Sequence, residues 1–161
     1  MLSRLKIILL LSFTLIYYQC NNAIDIDKIE ITFNGNKTFF KKNSKAFSGI
    51  INEHYNDGKM KMEIAVLNGF KEGIFKQFHT NGNLQTQSTF VKGEIHGKFT
   101  SYHLNENQQI VTFYNNNHRH GSYEEFHENG KLKICGNYYM GMRIGEFFEY
   151  FNSGGIAIYN Y

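Results

Sequence analysis

The chain has no proline and no tryptophan among its 161 residues, and it has only two cysteines. Proline lacks the N–H group that a β-ladder needs, so its absence leaves every residue able to donate within a sheet. Aromatic residues still make up 16% of the chain, as Tyr and Phe, which favour the pleated surface of a strand. The composition therefore predicts an all-β protein of at most one ordinary domain.

An excess of charge of one sign is also missing. The formal net charge is +3, and loss of residues 1–19 would remove Arg4 and Lys6 but no acidic residue, which leaves +1. Nucleic-acid binding depends on an excess of Lys and Arg that contacts phosphates. We therefore expect no nucleic-acid partner. Two cysteines likewise exclude a disulfide framework, and Cys135 is interpreted as a small apolar residue in a strand.

The N-terminal segment has the pattern of an export signal. Two basic residues precede the apolar run 7–16, and polar residues follow it. The run is shorter than the roughly 20 apolar residues that span a membrane. Cys20 lies where a bacterial lipoprotein signal peptide places its acylated cysteine, so lipidation at Cys20 and ordinary cleavage nearby are the two alternatives. The sequence thus predicts an exported protein of the bacterial cell envelope, anchored to the membrane as a lipoprotein.

Glycine recurs with a fixed period of 24 residues. A leading column is followed nine residues later by a second column, in which Glu106 takes one place, and a third column completes the pattern at Gly69, Gly93 and Gly141, with Asn117 in its remaining place. Such a period indicates a repeat architecture. The repeat glycines of the first two columns are Gly49, Gly58, Gly73, Gly82, Gly97, Gly121, Gly130, Gly145 and Gly154.

Each unit is predicted to be one β-hairpin. Asp, Asn or Ser precedes every glycine of the second column, which favours a two-residue type I′ turn, and the third column closes the return connection. The result is an elongated antiparallel meander in a single curved sheet. Both turns of the third unit lack glycine, at Asn105-Glu106 and Asn116-Asn117, so this unit is expected to be the loosest.

Apolar residues fill further columns of the repeat. Aromatic residues two and five places after the leading glycine differ in parity and are expected on opposite faces unless a bulge intervenes. On the return strands, seven even-numbered residues share a parity and are expected to form the core: Leu84, Phe90, Leu132, Ile134, Tyr138, Ile156 and Ile158. Because one sheet layer buries little, stability should come from stacking of neighbouring units.

The domain plan that follows has three parts. Residues 1–19 form the signal peptide, and residues 20–46 form a tether and a capping hairpin around the turn Asn34-Gly35. Residues 47–161 form five repeats, the last of them truncated, so the C-terminal edge is expected to be an exposed strand or a pairing surface.

The repeat resembles a known family. Residues 121–132, GSYEEFHENGKL, together with GNYYMG at 136–141, resemble the MORN repeat in the variant found in bacterial antitoxin-like proteins of the YwqK type. Residues 73–84 and 145–156 repeat the pattern, and the resemblance covers residues 47–161. It implies a curved, elongated antiparallel sheet that serves protein or membrane association and has no catalytic residues.

No arrangement of residues points to catalysis. His79, His103 and His127 share one column, but equivalent residues of successive units are about 10 Å apart, too far to share a metal ion. Glu124 and Glu125 are adjacent in a strand and point to opposite faces, and no phosphate loop or nucleophile elbow occurs. The sequence therefore predicts no enzyme activity, no metal, no cofactor and no small-molecule substrate.

The function predicted from these features is a non-enzymatic scaffold that binds an unknown protein partner, with the lipid anchor as a possible attachment to a membrane. The candidate binding surface consists of Tyr102, Tyr123, Phe126 and Tyr150. An antitoxin or immunity-type protein that neutralises a toxin by binding is one alternative. A lipid or glycan binder that stacks its ligand on these rings is the other.

Overall fold

The computed structural model describes residues 23–35 and 37–161. The predicted signal peptide and Cys20 lie outside the described residues. The described chain has one 3₁₀ turn, Ile26–Lys28, and fourteen strands. The strands are β1 Ala23–Asp25, β2 Glu30–Asn34, β3 Lys37–Lys42, β4 Lys45–Ala46, β5 Gly49–His54, β6 Met60–Leu67, β7 Phe70–Phe78, β8 Leu84–Val91, β9 Glu94–Tyr102, β10 Gln108–Asn115, β11 His118–Phe126, β12 Leu132–Tyr139, β13 Met142–Tyr150 and β14 Ile156–Asn160.

Strands β5 to β14 form one antiparallel meander in which each strand pairs with the next along the chain. Strand β1 extends this sheet to eleven strands by pairing in parallel with β5, and the sheet does not close on itself. The ten meander strands are five hairpins that follow the 24-residue period. The prediction of an all-β meander of tandem hairpins is confirmed. The parallel strand β1 was not predicted.

The tight loops differ from the predicted type I′ turns. In the first unit, Tyr55 N–H donates to the Lys59 carbonyl (2.8 Å) and Gly58 N–H to the Tyr55 carbonyl (2.9 Å), while Gly58 alone has positive φ. This is a three-residue loop that ends in a left-handed residue, a shape that needs one glycine and not two permissive residues. The predicted turn type is therefore wrong at the second glycine column.

Type I′ turns occur instead at the return connections. Asn68 and Gly69 both have positive φ, at 49° and 83°, between the paired residues Leu67 and Phe70. The same two-residue turn joins the later units at Lys92-Gly93, Asn116-Asn117 and Met140-Gly141. Lys92 and Met140 adopt a conformation that side chains without a local hydrogen bond rarely choose, which is why sequence did not indicate the turn type here.

The third unit keeps the loop geometry of its neighbours although Glu106 occupies the glycine place. Glu106 has φ 69°, and its N–H donates to the His103 carbonyl at 3.0 Å. The expectation that this unit is the loosest stays a prediction.

Glu106→Gly is expected to raise the free energy of unfolding by about 1 kcal/mol, since the left-handed conformation costs a residue with a Cβ roughly 1–2 kcal/mol and glycine little. Urea unfolding followed by circular dichroism measures the change. Glu128→Gly is the matched control, because Glu128 is exposed in the next tight loop but has no positive φ. An equal gain from both substitutions would show that the charge, and not the backbone, is responsible.

Bulges accompany the leading glycines. Val66 lies opposite Lys71 and Ile64 opposite Phe75, so Ala65 alone faces the three residues around Gly73. The same register shift occurs at the leading glycines of the next three units, Gly97, Gly121 and Gly145. All nine glycines of the first two columns have positive φ. A second bulge on the return strand, at Lys61, Gln85, Gln109 and Lys133, occurs in the first four hairpins.

The second bulge places Leu84 and Leu132 on the face opposite to Phe90 and Ile134, so the prediction that these residues line one face is wrong. The fifth hairpin lacks this bulge, which changes the predicted core again. Ile158 lies opposite Phe148, whereas Ile134 in the fourth unit lies opposite Glu125. A shift of one residue moves every side chain of a strand to the other face. Ile158 consequently lies on the other face and is exposed, in contrast to the buried Phe90 and Tyr138. Ile156 is also exposed, but it pairs with Tyr150 as Leu132 pairs with Phe126 and has not changed face.

Two clusters of buried side chains hold the fold. The first joins the small sheet of β2, β3 and β4 to the first repeat, with Ile29, Phe40, Phe47, Ile51, Ile64 and Val66. The second lies in the fourth and fifth repeats and consists of Tyr123, Tyr138 and Phe147. Each cluster is contributed by adjacent units, as expected when stability comes from contacts between neighbours.

Candidate functional site

Cross-strand pairing defines the two faces of the long sheet. The front face carries the aromatic column Phe75, Phe99, Tyr123 and Phe147, since residues paired across strands point the same way. The back face carries the residues of opposite parity in each strand, including Cys135, Phe148 and Ile158.

Cations lie between aromatic rings on the front face. Lys71 Nζ is 5.4 Å from the ring centre of Phe75 and 4.9 Å from that of Phe90. Burial lowers the pKa of the Lys71 amine. Two repeats later the guanidinium of Arg119 lies 5.3 Å from both Tyr123 and Tyr138. This column therefore places a cation over a pair of rings, a contact that stabilises by about 0.5–2 kcal/mol.

Arg143 continues the column in the fifth unit. Its guanidinium lies 4.8 Å from the ring centre of Phe147 and 5.1 Å from that of Tyr161. Arg119 Nη1 and Arg143 Nε both approach the hydroxyl oxygen of Tyr138, at 3.5 and 3.3 Å, and Arg143 Nη1 donates to Tyr161 at 2.6 Å. The two arginines and Tyr138 thus form one polar cluster, called the arginine pair below.

The acidic residues near the arginine pair are already engaged. Glu125 accepts hydrogen bonds from Tyr123 at 2.8 Å and Lys133 at 2.6 Å, and Tyr159 donates to Glu149 at 3.1 Å. Burial acts to raise the pKa of Glu125, but these hydrogen bonds hold it below its usual value. Burial, with the neighbouring Glu125, raises the pKa of the Tyr123 hydroxyl. Glu125 therefore stays charged and committed to Lys133.

The predicted binding residues occupy two different environments. Tyr123 is 7% exposed and belongs to the second core cluster, so its ring lies in the core and not on an open surface. Tyr102, Phe126 and Tyr150 are half-buried on the back face. Their carbonyl groups accept hydrogen bonds from the preceding unit. The three rings remain a predicted surface.

The histidine column links successive units through the backbone. His79, His103 and His127 each hydrogen-bond through Nε2 to the carbonyl 23 residues ahead, at 3.2, 3.0 and 3.1 Å. Tyr55 does the same in the first unit at 2.7 Å. Among residues 23–35 and 37–161, no three side chains of His, Cys, Asp or Glu gather as metal ligands do. The structure thus gives these histidines a role in joining tight loops.

The back face of the fifth unit is unusually apolar. Met142, Ile144 and Phe148 take the places that His118, His120 and Glu124 hold one repeat earlier. Met142 is 66% exposed and Ile158 56%, and Ile144 and Tyr139 are exposed beside them. We call Tyr139, Met142, Ile144 and Ile158 the apolar patch. Met142 pairs with Tyr139 and Ile158 with Phe148, so these residues lie on neighbouring strands of one face, and exposed apolar surface of this kind is typical of an interaction site.

The sequence did not single out the arginine pair or the apolar patch. Column comparison could have found both, because Lys71, Ile95, Arg119 and Arg143 share a repeat position, as do Glu72, His96, His120 and Ile144. The contact of both guanidinium groups with Tyr138 could not be predicted, because it depends on the bulges that set the register. No helix in the described part of the chain is long and apolar enough to cross a bilayer.

Comparison with known proteins finds a family model and similar solved structures. A family model described as MORN repeat variant matches residues 71–92 and 119–138, in the second and the fourth units, and MORN repeats are known as repeat modules in binding proteins. A crystal structure of a GtfA/B complex bound to UDP and GlcNAc aligns with 82% of the chain at 12% identity. The chain spans 24% of that protein, and the TM-score of 0.29 carries no argument. A search of curated proteins gives no match.

Proposed function

We propose that the chain is a non-enzymatic binding scaffold that holds a protein partner through its last two repeats. The observation that carries this proposal is the apolar patch. His118 and His120 occupy the positions of Met142 and Ile144 one unit earlier, so these two apolar side chains are a local property of the fifth unit and not a requirement of the repeat. Covering exposed Met, Ile and Tyr side chains removes apolar surface from water at about 25 cal/mol per Å².

The scaffold is proposed to act in the bacterial cell envelope. The support is the order of basic, apolar and polar residues before Cys20, which is typical of an exported lipoprotein. Lipidation of Cys20 would attach the repeats to a membrane surface. Palmitate labelling of the natural chain, absent from a Cys20→Ala variant, tests the anchor separately from the binding.

Site-specific photo-crosslinking in cells tests the binding proposal. A photoreactive phenylalanine analogue replaces Met142, and in a second chain it replaces Gln87, an exposed back-face residue of the second unit. One discrete adduct from position 142, with none from position 87, is expected. Ile144→Glu should abolish that adduct, since it places a charge inside the apolar contact.

The adduct also separates the alternatives. A cross-linked protein whose toxicity the chain suppresses would identify an antitoxin or immunity-type role. Equal labelling from both positions, or adducts that Ile144→Glu leaves unchanged, would contradict binding at the apolar patch. If the partner instead cross-links to Tyr102, Phe126 or Tyr150 alone, the aromatic column is the binding surface.

A further inference from the structure

The arginine pair has a charge that the described residues do not neutralise. The ion pairs in residues 23–35 and 37–161 are formed by Lys or His, and neither Arg119 nor Arg143 lies within 4.0 Å of a described carboxylate. Two guanidinium groups that approach one phenol oxygen repel each other. A neutral hydroxyl can order them, but it offers no compensating charge.

Both side chains keep donors that the fold does not use. A guanidinium carries five N–H groups, and the contacts of Arg143 with Tyr138 and Tyr161 use only part of them. Stacking on the Phe147 and Tyr161 rings fixes the plane of the Arg143 group, so fewer conformations are lost when a ligand binds. The pair is therefore a preorganised, positively charged donor cluster.

The position of the pair on the sheet makes it accessible. Arg143 is exposed and Arg119 is half-buried. They lie at one end of their repeat column, whose other members are the half-buried Lys71 and the uncharged Ile95. Only the fourth and fifth units place two arginines side by side. A single oxyanion that accepts one hydrogen bond from each guanidinium would span such a pair.

We propose that Arg119 and Arg143, which the hydroxyl of the buried Tyr138 holds together, bind a side-chain carboxylate in an acidic segment of the partner protein. This inference rests on the proposed function and adds the chemistry of the bound segment. Glu125 and Glu149 lie on the same front face, so a singly charged carboxylate meets less repulsion there than a phosphate ester, which carries nearly two charges. The two guanidinium groups each donate one hydrogen bond to the carboxylate, and this geometry supplies the specificity.

Fluorescence anisotropy with a labelled hexaglutamate peptide tests the site on the purified chain at low salt. Arg143→Gln is expected to weaken binding about tenfold, the loss of one charge-assisted hydrogen bond of about 1.4 kcal/mol. Arg119→Gln should have a similar effect, and Arg143→Lys should recover only part of the affinity. Lys98→Gln removes the same charge from an exposed residue of the back face and should leave binding within twofold.

Several outcomes overturn the proposal. The first is an affinity of Arg143→Gln for hexaglutamate within twofold of that of the natural chain. The second is an equal loss of affinity in Lys98→Gln, and the third is binding of a hexaglutamine peptide as tightly as hexaglutamate. Stronger binding of vesicles that contain phosphatidylserine, or stronger competition by inorganic phosphate than by glutarate, would assign the pair to a phosphate. Arg143 is exposed, so its variants avoid the folding risk of Arg119→Gln. Loss of peptide binding with an intact cross-link at position 142 would reject this inference and keep the proposed function.

Discussion

Phe40→Ala is expected to lower the free energy of unfolding by about 3–5 kcal/mol, the usual cost of removing a buried phenylalanine ring. Phe40 is 2% exposed in the cluster that joins the N-terminal sheet to the first repeat. Its N–H also donates to the Gly69 carbonyl at 2.8 Å, and its carbonyl accepts from Phe47 N–H at 3.0 Å. The truncated ring would leave a cavity where the small sheet meets the array.

The control for this change is Phe33→Ala in the same small sheet, because Phe33 is 76% exposed and should change stability by less than about 0.5 kcal/mol. Denaturant unfolding gives both values. Hydrogen exchange then locates the effect: amides of Ile51 and Ile64 should lose protection before those of Tyr123, since repeat stability is shared between neighbours. Equal losses in the two variants, or uniform loss of protection, would show that this sheet does not cap the array.

The repeat and the fold class could be predicted from the sequence because both depend on local chemistry. Glycine every 24 residues, turn-forming residues beside it and aromatic residues at fixed offsets determine a chain of hairpins without reference to distant contacts. The prediction was wrong where geometry depends on one extra residue. Ala157 takes the place of Lys133 in the fifth unit, and nothing in its chemistry indicates that the bulge is absent and that Ile158 changes face.

Less of the candidate site could be predicted from the sequence, because its contacts depend on residues that are distant along the chain. The predicted aromatic columns included Tyr123, but parity alone could not show that Tyr138 and Phe147 cover it. Distance along the repeat could be predicted for the histidine column, whereas its hydrogen bonds to carbonyl groups depend on how successive loops stack. The proposed function rests on residues that depart from the repeat, and Arg143 and Met142 are recognised as candidates only when their neighbours in space are known.

Gly136 provides the second large effect, because Phe147 packs across it. Gly136 lies opposite Tyr123 and next to the fifth unit, and a Cβ there would meet the Phe147 ring at 2.6 Å. Phe147 is 1% exposed and also packs edge-on against Tyr138 and Tyr161, at 5.5 and 5.4 Å between ring centres. The ring thus has no room to move away, and Gly136→Ala should cost about 1–3 kcal/mol through overpacking.

The intrinsic strand preference favours alanine over glycine, so it opposes the destabilisation expected from overpacking at position 136. Glycine in a strand is about 0.5–1 kcal/mol less favourable than alanine, so a glycine with ordinary backbone angles and free space should tolerate the change. Gly155 is such a residue: its added Cβ would meet Phe151 at 3.5 Å, an ordinary contact, and Gly155→Ala is expected to be neutral or slightly stabilising. Urea unfolding of both variants measures the difference.

A double-mutant cycle identifies the cause of the Gly136 effect. Phe147→Leu alone should destabilise the chain by removing a buried ring, but in the Gly136→Ala background the smaller side chain also relieves the overlap with the new methyl group. The two changes should therefore be less costly together than the sum of the single changes, by about 1 kcal/mol or more. If the losses in free energy of unfolding are additive, contact with the Phe147 ring is not the reason why position 136 requires glycine. A positive coupling would establish that the fourth and fifth repeats are joined by the packing of Phe147 on a bare backbone, directly beside the arginine pair.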